Sequence, residues 1–169
     1  SGSEESGGGD SGSDDPIVIG SISPNTGSLA AYGTGIITGV ELAVEEINAA
    51  GGILGRQVEV ITTDDQGDPT ECLNAFNSLV AEGVGLIIGS ATSGCTSAIT
   101  EAANEEEICL LAPTATADSV TTEDDYIFRA CYADSFQGAI AAAYAKKAGY
   151  TKVGVVYCAA AVSYTHLTL

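Results

Sequence analysis

The stretch VGLIIGSATSGCTSAITEAANEEEICLLAP, residues 84–113, decides the fold. Its ends, VGLIIGS (84–90) and ICLLAP (108–113), are short apolar runs closed by turn residues, as expected of strands buried on both faces. Between them Ala98, Ile99, Ala102 and Ala103 recur at helical spacing, with Ser93 as candidate cap and the acid run Glu105–Glu107 after the last apolar turn. A strand that reaches its neighbour through a helix runs parallel to it, because the helix is the crossover that parallel pairing requires.

The same unit recurs outward in both directions. Upstream, IVIGSI (17–22) reads as a strand closed by SPNTG, and the helix after it carries Ile36, Val40, Ala43, Val44 and Ile47 on one face until Gly51-Gly52 stops it. QVEVIT (57–62) alternates as a strand, Asp68 caps a helix with Pro69 at its first position, Leu73, Phe76, Leu79 and Val80 point inward, and Gly83 ends it. Downstream, YIFRA (126–130) is a further strand. Asp134 with Gln137 resembles a capping box opening a helix with Phe136, Ile140, Ala143 and Tyr144, which ends at Gly149 before a last strand, KVGVVY (152–157). The expected class is α/β: a parallel sheet with helices on both faces.

The chain has 169 residues, 45% of them apolar, which suffices for a core. Acids outnumber bases 23 to 5, a formal charge of −18 that repels phosphate backbones, so no nucleic-acid partner is expected. The first 15 residues, SGSEESGGGDSGSDD, contain only Ser, Gly, Glu and Asp and are expected to form a disordered tether. Such tethers resemble the mature start of bacterial lipoproteins, where a signal peptide and a lipid-modified cysteine precede them. With no run of about 18 apolar residues, the membrane is expected to be reached only through such an anchor. The tail VSYTHLTL (162–169) follows an alanine run without helical or strand pattern, and VSYTHL resembles one translated frame of a sequencing-library adapter. It is therefore expected to be an artefact of a truncated gene, and its His166, the single histidine, is set aside as a catalytic or metal candidate.

Ligands of open α/β sheets sit beyond the carboxyl ends of the strands. The turns there, SPNTGSLAAYG (23–33), SATSG (90–94) and APTAT (112–116), are rich in small residues and hydroxyls and hold no His or Lys. The chain has no Gly-x-Ser-x-Gly and no Cys-x-x-Cys, and GSATSG lacks the lysine of a phosphate loop, so binding is favoured over catalysis. Asp64 and Asp65 are expected to be solvated or capping rather than a metal site, and Arg129 to pair with an acid. Hydroxyls together with the first-turn amides of a helix at Ser93 suit a zwitterion.

From IVIGSISPNTGSLAAYG through INAAGGILGRQVEV, DDQGDP, LLAPTATADSVT, FRACYADSFQG and KVGVVY, residues 16–157 resemble the branched-chain amino-acid-binding proteins of ABC transporters. The resemblance implies two α/β lobes closing on a ligand: an incomplete first lobe over 16–131 and the start of the second over 132–161. It implies that Ser93 binds the ligand carboxylate, Thr116 both carboxylate and ammonium, Thr114 a backbone contact, and Tyr32 an aromatic wall. The acid that usually holds the ammonium belongs to the second lobe. The function implied is non-enzymatic capture of an amino acid, branched-chain or otherwise aliphatic, by an extracytoplasmic, lipid-anchored or periplasmic monomer that delivers it to a permease, with no cofactor and no metal. The alternative is a ligand-sensing module of a receptor or regulator. Members often carry a disulfide nearby, which points to Cys72 with Cys95, where closing the 22 residues between them contributes roughly 3 kcal/mol. Cys109 with Cys131, or five free thiols, are the alternatives.

Overall fold

β1 (Ile17–Ser23) is the inner strand from which the sheet grows in both directions. In this computed structural model, which describes residues 15–121 and 126–155, it pairs in parallel with β2 (Val58–Asp64) from Ile17↔Val58 to Ser23↔Asp64. On its other side lies β3 (Leu86–Ile88), followed by β4 (Cys109–Ala112) and β5 (Ile127–Arg129), giving the all-parallel order β2-β1-β3-β4-β5. The tether to residue 14 and the tail from 162, with His166, lie outside the described residues.

Helix α1 (Ala30–Ala49) carries the chain from β1 to β2, and α2 (Pro69–Ala81) carries it back across β1 to β3. Right-handed crossovers travelling in opposite directions lie on opposite faces, so α1 covers one face while α2 and α3 (Ser93–Glu105) cover the other. The core lies on the α2/α3 side, where Phe76, Leu79 and Ile99 pack on Ile22, Ile87 and Leu110, all nearly or fully buried. Gly20 is needed here: a Cβ on it would stand 2.6 Å from Leu79 Cδ1.

Helix ends follow the local chemistry. Asp68 caps α2 by accepting from the N–H groups of Thr70 and Glu71, with Pro69 beginning the helix as read from the sequence. Thr92, not Ser93, caps α3: its Oγ1 accepts from Cys95 N–H at 3.2 Å, which leaves Ser93 as the first helical residue. The capping box at Asp134 is also corrected, since Ala133 occupies the cap of α4 (Asp134–Lys147) and makes no side-chain cap bond. The Asp134 N–H is drawn instead to the Thr116 carbonyl.

Three apolar faces differ from their periodicity. On α1 only Gly33 and Val40 are buried, and Ala43 is exposed, because the helix covers the β1/β2 side of a sheet face that is open over β3–β5. On α2 it is Cys72 and Ala75 that are buried, while Leu73 is 37% exposed. On α4, Phe136, Ile140 and Tyr144 are all more than half exposed, since no described element packs on that face. Residues 152–155 form no strand: a parallel strand needs a neighbour, and none is present beside this segment among the described residues. The helical stretch Gly27–Ala49 is long and apolar enough to cross a membrane by composition, contrary to the sequence reading, but α1 here is a layer packed on β1 and β2.

Candidate functional site

The sheet order sets the turns after β1, β3 and β4 side by side at the carboxyl edge, and the chain changes direction between β1 and β3. That edge is where open α/β sheets take ligands. Ser93, pulled inward at the start of α3, accepts at Oγ from the Ala117 N–H at 3.1 Å. This bond ties the β3–α3 turn to the turn after β4, so Ser93 and Thr116 are brought within one residue of each other's contacts.

Thr116 sits at a junction. Its carbonyl accepts from the Asp134 N–H at 2.9 Å and from Arg129 Nη1 at 3.2 Å. The same guanidinium reaches the Ala117 carbonyl at 2.9 Å and the Thr121 hydroxyl at 2.6 Å. Arg129 was expected to pair with an acid. Among the described residues its planar fork of donors instead matches two consecutive carbonyls and holds the turn's backbone.

Thr114 is exposed on its outer side, and its hydroxyl donates to the Ala91 carbonyl at 2.6 Å, joining the two turns a second time. Tyr32 projects from the first turns of α1 with 60% exposure. Tyr32 and Thr114 line one apolar groove of about 530 Å³ with Ile36, Val40, Ile88 and Pro113. Ser93 and Thr116 are not among the residues lining that groove, so the four expected site residues form two adjoining pairs.

The neighbouring carboxylates have structural work. Asp64 Oδ1 accepts from the N–H groups of Asn25 and Gln66 at 2.8 and 2.9 Å, and its Oδ2 from the Thr26 hydroxyl at 2.6 Å. Partial desolvation opposes ionisation of Asp64, but the Thr26 hydroxyl and the surrounding amides outweigh it and hold the carboxyl below its ordinary value. Asp65 is fully buried and accepts from the Ser90 hydroxyl and from the Gly67 N–H. The two carboxylates therefore serve different partners, and no group of three His, Cys, Asp or Glu suited to a metal occurs among the described residues. The Asp65–Ser90 pair was missed, because nothing in a turn written TDDQGDP tells which of two adjacent acids turns inward.

Cys72 and Cys95 are free thiols in the structure, so the expected disulfide is not formed. They are nevertheless neighbours, both fully buried where α2 packs on α3, with the Cys72 thiol donating to the Cys95 sulfur. That hydrogen bond raises the Cys72 pKa and lowers that of Cys95. Cys109 and Cys131 are free as well.

A parallel α/β sheet with small-residue turns at its carboxyl edge has the form of an open-sheet ligand site. The periplasmic binding protein family matches residues 16–167, and the chain belongs to that family. It is 38% identical over 132 residues to the Leu/Ile/Val-binding protein BraC3 of Rhizobium johnstonii, covering 78% of this chain and 36% of that one. It is 35% identical to the leucine-, isoleucine-, valine-, threonine- and alanine-binding protein of Pseudomonas aeruginosa, over 75% of this chain and 34% of that one. Among solved structures, the branched-chain amino acid transporter substrate-binding protein LivJ of Streptococcus pneumoniae, in complex with isoleucine, superposes with a TM-score of 0.73 and 42% identity, covering 78% of this chain and 38% of that one. The chain thus spans little more than a third of the length of these relatives.

Proposed function

We propose that this chain is the first lobe of an extracytoplasmic binding protein that captures an amino acid, branched-chain or otherwise aliphatic, and presents it to the permease of an ABC transporter. The observation that carries the reading is the joining of Ser93 and Thr116 through the 116–117 backbone at the carboxyl edge of the sheet. Hydroxyls and helix first-turn amides read the charged head of an amino acid, and the apolar wall from Tyr32 to Pro113 suits an aliphatic group. The chemistry is capture rather than catalysis: the turns at 90–94 and 112–116 hold no His or Lys, and the Ser90 hydroxyl with its Asp65 partner is fully buried. Three relatives named above for leucine, isoleucine or valine binding, or for branched-chain amino acid transport, support the same class of ligand. A lipid anchor ahead of residue 1 and a monomeric state belong to this reading, as does a second lobe that closes over the ligand.

Calorimetry on the complete protein with leucine, isoleucine and valine tests it. Ser93→Ala and Thr116→Ala are each expected to weaken binding by about 1.5–3 kcal/mol, the range for hydrogen bonds to charged groups. Wild-type affinity in both variants would remove the two assignments. A complete gene that continues into a membrane span and a signalling domain would place the lobe in a sensor instead.

A further inference from the structure

Asp65 is the most deeply buried acid among the described residues, with no exposed surface at all. Its carboxyl group accepts from the Ser90 hydroxyl through Oδ2 and from the Gly67 N–H through Oδ1. Enclosing a carboxyl group away from water is costly, and an apolar pair of the same volume would fill the space at least as well. An apolar pair would not fix an orientation, however, whereas a hydrogen bond in a buried, water-free setting does. The bond therefore points to something whose orientation matters.

The backbone of Asp65 is itself held from two sides. Its N–H donates to the Ser23 carbonyl at the end of β1, at 3.2 Å, and its carbonyl accepts from the N–H of Asp68, the cap of α2, at 2.8 Å. From this fixed base the side chain reaches past β1, which lies between β2 and β3, to the turn after β3. That turn is gripped from other directions as well. The Ser90 carbonyl accepts from Thr96 Oγ1 at 3.2 Å, and the Ala91 carbonyl accepts from Thr114 Oγ1 at 2.6 Å. Gly89 lies so close to β1 that a Cβ on it would stand 2.1 Å from the Ile22 carbonyl. Ser23, Asp65, Ser90 and Thr96 are all fully buried, and Ser93 follows three residues after Ser90.

We infer that Asp65 is a positioning residue for ligand capture: through Ser90 it fixes the turn after β3 in the one shape that presents the Ser93 hydroxyl at the carboxyl edge of the sheet. Asp65 touches no ligand. Its effect is to keep the turn in its binding-competent form, and when only a fraction of molecules holds that form the apparent affinity falls by the same fraction. The inference rests on the amino-acid reading above and deepens it, since affinity then depends on a buried bond that starts from a different strand.

The test is a double-mutant cycle on the complete protein, with leucine titrated calorimetrically into Asp65→Asn, Ser93→Ala and the two combined. Ser90→Ala, which removes the same bond from its other end, runs through the same cycle and carries the test should Asp65→Asn fail to fold. Each of Asp65→Asn and Ser90→Ala is expected to weaken leucine roughly three- to thirtyfold when Ser93 is present, the range for residues coupled through one network. In the Ser93→Ala background the same changes are expected to cost less than about twofold, because the group they position is gone. An equal loss in both backgrounds would show that Asp65 supports the fold in general, and no loss in either would show that it does not act on the site; both overturn the inference. A folded wild-type protein that binds no leucine, or a Ser93→Ala variant of full affinity, would overturn the reading beneath it, a different result from either.

Discussion

Individual side chains at the carboxyl edge act mainly by tying turns to one another. Asp64 is the clearest case, since one carboxylate collects amides and a hydroxyl from the β1 turn and its own. Because these bonds lower its folded pKa below the unfolded value, its contribution is fully present above the unfolded pKa and is lost as pH falls through the folded one. Asp64→Asn is therefore expected to lower the unfolding temperature at neutral pH and to flatten its fall below about pH 4, measured by thermal melts across that range. An unchanged acid limb would show that the bonds to Asn25 and Thr26 carry no stability. At this scale the sequence was only partly legible. Thr92 and Ser93 both carry hydroxyls suited to capping, and which one caps depends on a tertiary bond from Ala117 that no local pattern contains. Asp134 was misread for the same reason: its N–H answers to Thr116, 18 positions away in the chain.

Elements were more legible, because apolar runs, Asp68-Pro69 and the stopping glycines mark a strand or helix without reference to anything distant. Each of the five described strands and four helices lies where its pattern places it, whereas which face of a helix is buried depends on what is packed there. Gly20 shows how closely α2 sits on β1. Gly20→Ala is expected to cost about 1–3 kcal/mol, the usual effect of overpacking, in a denaturant titration of the complete protein. The α2/α3 contact also holds the Cys72–Cys95 pair. Exchange with a small-molecule disulfide, which is itself reduced to two thiols, is expected to join them and to stabilise the fold by roughly 3 kcal/mol. A non-reducing peptide map without a Cys72–Cys95 crosslink after such treatment would remove the pairing. The resemblance suggested this pair, and the structure brings the two thiols together without the bond.

At the scale of the whole molecule, apolar surface is left uncovered from β5 to α4 among the described residues. Phe128 on β5 is 54% exposed, and α4 presents Phe136, Ile140 and Tyr144 beside Tyr132, whose ring stacks on Phe136 at 5.2 Å. The 169-residue chain by itself is expected to bind an apolar fluorescent dye and to hold leucine weakly or not at all, while the complete protein shows the reverse. Tight leucine binding by the short chain would contradict a cleft made from two lobes. None of this exposure is legible in the sequence, where the same residues mark helix and strand faces that expect a partner.

The carbonyl of Thr116 gathers donors from β5 and from α4, the helix that follows it. Any swing of that helix must therefore stretch or tighten a bond to the turn after β4. The Asp134 amide proton becomes a built-in gauge: its exchange with solvent deuterium should slow when ligand draws the lobes together, and should speed up when that helix works loose.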